Sequence, residues 1–391
     1  MATRFARLHR IDPLGALVAA VGAASLLWLP FVVFKLNRIL PGDAHSLMQV
    51  LPTSAALACQ LSLILIALVA LGIADARVRL AAALVGVIVV AAAVASAANL
   101  LTPAGNKVVR VAPGSGFWLL LVALGLMATD AITRLRPRPR PAVRVLMLAL
   151  FVAVAGAALA HGSFDNLSVM REYAVNAGRF AHEARQHVWL ALGSLAAAIV
   201  VALPLGILCH RVPQLRASVL GALNVIQTIP AIALYGILMA PLGALAAALP
   251  LAARLGIRGI GTAPAVLALF LYSLLPVVAN TVAGLKRVSP AAVEAARGMG
   301  MTRWQILTGV ELVLALPTIL TGIRIVLVQN IGLVTVAALI GGGGLGVFVF
   351  QGIGQTAIDL VLLGAIPTVA LAFSAAVLLD ALIDTINRTR Q

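Results

Sequence analysis

Residues 286–310 read KRVSPAAVEAARGMGMTRWQILTGV, and the loop that holds them separates the apolar run 263–284 from the apolar run 317–340. Loops between membrane spans are usually short, whereas this one carries its own helical punctuation. Ser289 is placed to cap the orphan N–H groups of a helix whose first residue is Pro290, and Gly300 can take the left-handed conformation that stops it. Thr302 with Gln305 three residues on makes a capping box that starts a second helix. Between these signals Ala291, Ala295 and Gly298 fall on one face, a slim ridge around which the cleft of another protein can close. An amphipathic helix lying on the inner leaflet fits the same pattern equally well.

Outward from this loop the chain is almost continuously apolar. Of its 391 residues 62% are hydrophobic and only 10% charged, with a mean hydropathy of +1.10, against about a quarter charged in a soluble domain. Such a composition cannot coat a water-soluble globule and predicts an all-α polytopic membrane protein. The runs are apolar on every face, which excludes a membrane β-barrel, whose strands alternate. Candidate spans fall at 14–36, 54–74, 80–101, 117–132, 143–160, 188–208, 217–240, 263–284, 317–340 and 358–383. That makes about ten transmembrane helices near the roughly 20 residues a bilayer requires. The first follows Arg4, Arg7 and Arg10 in the charge order of a signal peptide, but its length makes it an anchor.

A net charge of +16 would suggest nucleic acid in a soluble chain, yet here the basic residues sort by side of the membrane. With the N-terminus inside, eighteen of the 28 Lys and Arg lie on inner segments, among them Arg77, Arg79, Arg134, Arg144, Arg211 and Lys286, and nine on outer ones. The bias obeys the positive-inside rule, places both termini in the cytoplasm and needs no nucleic-acid partner. Asp384 and Arg388 are spaced as an i,i+4 pair, and Arg324 is expected to snorkel from its span to the cytoplasmic face. The organisation reads as a five-helix membrane extension over 1–160, an extracytoplasmic linker over 161–187 and a five-helix core over 188–384. Alternating Arg and Pro over 133–144 fix an extended connector, a plain loop more readily than a site for anionic lipid.

No residue cluster supports catalysis or a metal. Cys59 and Cys209 stand alone, and His161, Asp165, Glu172, Glu183 and His187 are dispersed along one polar stretch. No GxxxxGK[ST] occurs, so the chain has no nucleotide-hydrolysing loop. Gly341, Gly343 and Gly346 satisfy GxGxxG, but an apolar span rather than a strand precedes them; a flexible turn at the outer surface, including Gly344, is the better reading. Polar residues within spans, Asn224, Gln227, Thr228, Tyr272, Asn280, Gln329 and Asn330, either line a pathway or bond helix to helix.

Glu294-Ala295-Ala296 followed by Gly300 resembles the EAAxxxG signature of the permease subunits of bacterial ATP-binding-cassette importers, and lies two spans before the C-terminus, as it does in that family. The stretches LPLGILCHR at 203–211, NVIQTIPAIALYG at 224–236, LYSLLPVVANTVAGL at 271–285 and AALIGGGGLG at 337–346 resemble the glycine betaine and choline branch. The likeness covers about residues 186–384; the N-terminal half, with GSGFWLLL at 114–121, resembles the long-form permeases of that branch. One departure stands out. The family pattern continues after the glycine to Leu-Pro, whereas here Val310, Glu311 and Leu312 are followed by Val313, and the proline comes only at Pro317. That predicts a less kinked start to the next span.

The resemblance implies a type I importer permease whose segment 286–310 docks into a separate ATPase. Glu294, Ala295, Ala296, Arg297 and Gly300 would form the contact, and ATP would be used by the partner, with no cofactor on this chain. It also implies an extracytoplasmic solute-binding protein and a second permease subunit, homologous or identical, in the bacterial inner membrane. Tyr235, Phe270 and Tyr272 are the aromatic residues nearest a pathway that could attract a quaternary amine by cation–π contact. An importer permease for another solute, such as an amino acid or an oxyanion, shares these features. A secondary transporter is disfavoured, because Asp130, Asp359 and Asp380 lie near span ends.

Overall fold

The computed structural model describes residues 12–37, 40–106, 108–137 and 139–388, so Arg4, Arg7, Arg10, Arg38, Lys107, Arg138 and Arg390 of the charge count lie outside the described residues. Among the described residues nine helices are long and apolar enough to cross a membrane, and Pro13–Leu27 is a shorter apolar helix. The chain divides into two compact units, Met1–Arg140 with Phe151–Ala174 and Pro141–Leu150 with Val175–Gln391.

In the first unit, α1 (Pro13–Leu27), α2 (Thr53–Gly72), α3 (Ala76–Leu101) and α4 (Ser115–Arg134) pack around Leu63, Ile66, Val90, Leu120 and Met127. The expected span 14–36 is corrected: its helix stops at Leu27. Pro30 has no N–H to continue the ladder, and the β-branched Val32-Val33 beyond it suits a strand. Val32–Lys35 (β1) is the centre of a three-stranded antiparallel sheet between β2 (Asp43–His45) and β3 (Arg110–Pro113), with Val33 opposite Ala44 and Ala112. At the start of α3 the Asp75 carboxylate accepts from the N–H groups of Arg77 and Val78. One turn on, Arg79 is 1% exposed and pairs with Asp12 and Asp130, while Arg134 bonds the same two carboxylates at 3.2 and 2.8 Å. Burial acts to raise the Asp12 carboxyl, but hydrogen bonds from Arg79 and Arg134 outweigh it and hold Asp12 below the ordinary carboxylate value. Two residues expected to record topology alone thus hold three helix ends together.

The α5 helix is Pro141–Ala160, and the Arg/Pro connector before it is confined to the residues between Arg134 and Pro141. The expected linker 161–187 is helical from Ser168 and joins the following span as α6 (Ser168–Arg211), because no proline interrupts it before Pro204. The expected span 217–240 is instead two helices, α7 (Pro213–Thr228) and α8 (Ala231–Ala248), broken where Pro230 forces Ile229 into an extended conformation. After α9 (Thr262–Lys286) come α10 (Pro290–Gly298), α11 (Leu312–Ala337), α12 (Gly346–Gly354) and α13 (Ile358–Arg388). The core of the second unit lies between α9 and its neighbours, around Leu269, Tyr272, Val277, Val278, Val326 and Val334.

Two ion pairs join its helices. Arg324 does not snorkel freely but pairs with Asp380 on α13, and Asp384 meets Arg144 of α5 rather than serving only as an i,i+4 partner of Arg388. A carboxylate within reach is a better partner for a guanidinium near an apolar layer than a stretched path to water.

Candidate functional site

The segment 286–310 folds as its punctuation predicts, with one exception. Ser289 occupies the N-cap position of α10 in an extended conformation, but its hydroxyl makes no cap bond. Its carbonyl accepts from Ala292 and Val293 instead, and Pro290, having no N–H, removes one of the orphans a cap would serve. Gly300 is left-handed, with φ of +80°, and Met301 N–H closes the turn onto the Ala296 carbonyl at 3.2 Å. The Thr302–Gln305 capping box is complete, at 2.8 and 3.3 Å, and opens the single turn Arg303–Ile306.

From that turn the backbone passes into a π-helical turn, Leu307–Glu311, and straight into α11, with Pro317 inside the helix. Without the family's proline after Leu312 the helix is not interrupted there, and its first irregularities are the π-turn before Leu312 and Pro317 within the helix.

Burial divides the segment into two sides. Ala296, Ile306, Leu307 and Glu311 are buried, and α10 lies against the π-turn. Ala291, Glu294, Ala295, Arg297, Gly298 and Gly300 are exposed on the other side. Two large apolar side chains that composition alone passes over, Met299 at 75% and Trp304 at 71% exposure, flank this edge. Their size within a polar loop was the available signal. A rigid, narrow edge bordered by exposed apolar groups is a surface fitted for a protein partner.

The glycine turn at the other end of α11 is built differently. Gly341, Gly343 and Gly344 have φ of 76°, 76° and 88°, and α6 holds the turn from the side. The Gly344 N–H donates to Glu183 Oε2 at 2.7 Å, Gln186 Nε2 donates to the Gly342 carbonyl at 3.3 Å, and the Leu345 N–H donates to His187 Nδ1 at 3.2 Å. His187 is fully buried, and its Nε2 donates to the Ile331 carbonyl at 2.9 Å, which assigns the proton to Nε2 and leaves Nδ1 free to accept. Glu183 and His187 are therefore not stray polar residues of an outer stretch. Among the described residues no group of three or more His, Cys, Asp or Glu is placed to hold a metal ion.

Half of the intramembrane polar candidates are engaged with another element. Asn330 is fully buried and donates to Ser194 and Ser273 at 3.1 and 3.0 Å, joining α11 to α6 and α9. Gln227 donates to the Tyr272 carbonyl at 2.6 Å, and the Tyr272 hydroxyl to the Ile229 carbonyl at 2.5 Å, across the break between α7 and α8. The hydroxyl of the buried Tyr235 reaches the Leu333 carbonyl at 3.1 Å. Asn280 and Thr228 bond within their own helices, Gln329 is half-buried, and Asn224 is exposed. Both tyrosine rings are packed in the core, and neither faces an open cage.

The docking segment, Asn330 and the glycine turn sit within a match to known proteins. The family model described as the binding-protein-dependent transport system inner membrane component covers residues 195–390. The chain belongs to this family. It is a multi-pass permease, and the model of the N-terminal domain of the ABC transporter permease YehY matches its residues 12–170. The permease is similar to the osmoprotectant import permease OsmW of Salmonella typhimurium, 44% identical over 197 residues, 50% of this chain and 86% of that protein. It is 39% identical to the carnitine transport permease OpuCB of Listeria monocytogenes over 48% of this chain and 78% of that one. A choline transport permease of Bacillus subtilis, OpuBD, is 37% identical over 54% and 87%. An inward-facing structure of the MetNI methionine transporter aligns with 53% of this chain and 95% of that one at 20% identity and a TM-score of 0.47, too loose a likeness to add to the assignment.

Proposed function

We propose that this permease is the membrane-spanning subunit of an ATP-driven importer of small quaternary-ammonium osmoprotectants such as glycine betaine, choline or carnitine. A separate ATPase docks on α10 from the cytoplasm, an extracytoplasmic binding protein delivers the solute, and a second permease subunit completes the pathway. Both termini lie in the cytoplasm. The observation that carries the docking role is the exposed edge of Glu294, Ala295, Arg297 and Gly298, backed by the buried Ala296 and bordered by Met299 and Trp304. A short helix stiffened from beneath can transmit the closure of two ATPases as a switch between two packings. The substrate class rests on the relatives named above. With Tyr235 and Tyr272 packed away, high-affinity selection belongs to the binding protein.

The test is co-purification and uptake. Glu294→Lys is expected to abolish capture of a co-expressed ABC ATPase subunit and uptake of labelled glycine betaine, while membrane insertion is unchanged. If capture and uptake both survive, α10 is not the dock. If uptake requires only an ion gradient, the importer reading fails.

A further inference from the structure

Three groups of contacts join α6 to the stretch that begins with the π-turn and ends with the glycine turn. Arg211, the last residue of α6, donates through Nη2 to Glu311 Oε2 at 2.5 Å. Midway, Asn330 Nδ2 donates to Ser194 Oγ at 3.1 Å. At the far end His187 bonds the Ile331 carbonyl and the Leu345 N–H, and Glu183 takes the Gly344 N–H. As the numbers on α6 fall from 211 to 183, those of the partners climb from 311 to 344, so the two run antiparallel and are fastened at both ends and in the middle. From Glu183 to Arg211 an α-helix rises about 42 Å, close to the thickness of a bilayer with its head groups.

The lower fastening has unusual features. Glu311 is 6% exposed, although it closes a polar loop. Of its ion pair, the guanidinium side chain is 47% exposed and the carboxylate side chain 8%, so the carboxylate depends on Arg211 for its compensation. Arg216 donates to the carbonyls of Cys209 and His210 and so holds the same end of α6. Glu311 closes the π-turn, and Leu312 N–H reaches back five residues to the Leu307 carbonyl. A π-turn adds one residue to the ladder, which rotates the segment before it by about 100° relative to the helix after it. It also stands where α10 rests.

We propose that α6 and α11 move as one rigid lever, and that Glu311 and Arg211 are the positioning residues that join α10 to it, carrying displacement of the docking segment to the glycine turn 341–346. The lever rests on the reading of α10 as the ATPase dock. Motion of α10 is delivered to the π-turn beneath it; Glu311 passes it to the end of α6, and the contacts of Glu183 and His187 deliver it to the turn at the opposite end. An exposed pair would be screened and slack, whereas this carboxylate is buried and directional. The coupling is geometric and involves no transfer of a proton or group.

The experiment uses the complete importer in nanodiscs, with labelled glycine betaine and ATP. In Glu311→Gln, ATPase capture stays at the wild-type level and solute moved per ATP hydrolysed falls about tenfold, within the range of ordinary coupling between sites. The exchange Glu311→Arg with Arg211→Glu restores the ratio to within about threefold of wild type, which a merely structural requirement for a native side chain would not. A wild-type ratio in Glu311→Gln, or no recovery in a folded exchange variant, overturns the joint. Spin labels at Leu208→Cys and Leu314→Cys, both on exposed positions beside the lower fastening while Cys59 and Cys209 are buried, read the lever itself. Their distance is expected to be narrow in the permease alone and unchanged by ATP with vanadate, and to broaden in Glu311→Gln. A wild-type distance that shifts between states, or a variant that stays narrow, overturns the lever. Failure of wild-type permease to capture an ATPase defeats the docking role instead, and the lever is then decided by the distance width in the permease alone.

Discussion

Gly300 and Gly346 both belong to glycine-bearing turns at the ends of the same helical stretch, yet they are glycines for different reasons. Gly300 has a left-handed backbone, and an added Cβ would meet nothing within 4 Å. Gly346 begins α12, and there an added Cβ would stand 1.9 Å from the Thr335 carbonyl oxygen. One turn is constrained by its dihedral angle and open to whatever binds it; the other is constrained by packing and closed. A surface that must accept a partner can store its requirement in the backbone, whereas a turn held by its neighbours stores it in the space between them.

That contrast can be broken by substitution. Gly346→Ala should be the most damaging change, costing about 3 kcal/mol or more because rigid backbone must move aside, and read as a large drop in melting temperature of the purified permease. If it melts like wild type, the turn is not packed as described. Next, Glu183→Gln should cost about 1–2 kcal/mol by weakening the charge-assisted bond to Gly344, and should loosen the turn to proteolysis without altering ATPase capture. Gly300→Ala should cost about 1 kcal/mol, and Gly300→Asn less, since Asn tolerates the left-handed region; the ordering of the two in a thermal melt tests whether angle alone matters. Smallest of all in stability is Trp304→Ser, expected within about 0.5 kcal/mol of wild type because the ring is exposed, yet it should weaken binding of the ATPase measurably in a pull-down. Loss of stability without loss of binding would reverse the division between the two turns.

Much of this was legible in the residues. Pro290, Gly300, Thr302 and Gln305 act locally, through φ, the missing N–H and a three-residue hydrogen-bond loop, and the structure has the helix, the stop and the restart that they encode. The silent hydroxyl of Ser289 was not legible, since a cap position offers a bond without compelling it. Pro30 and Pro230 each cut an apolar run that hydropathy averaged over, and the sheet formed by Val32–Lys35 needed partners about ten and about eighty residues away.

What the sequence by itself determined is the membrane class, the helical architecture, the family and the edge of α10, because composition, periodicity and capping are properties of neighbouring residues. Tertiary structure alone decided which charges meet: Arg79 with Asp12 and Asp130, Arg324 with Asp380, Arg211 with Glu311. It alone turned Glu183 and His187 from scattered polar residues into fastenings along α6 and α11, and gave Asn330 its partners on the helix-to-helix side of the two readings. Each of those contacts joins residues dozens or hundreds of positions apart, and in an apolar layer a polar group takes the partner that folding brings within reach.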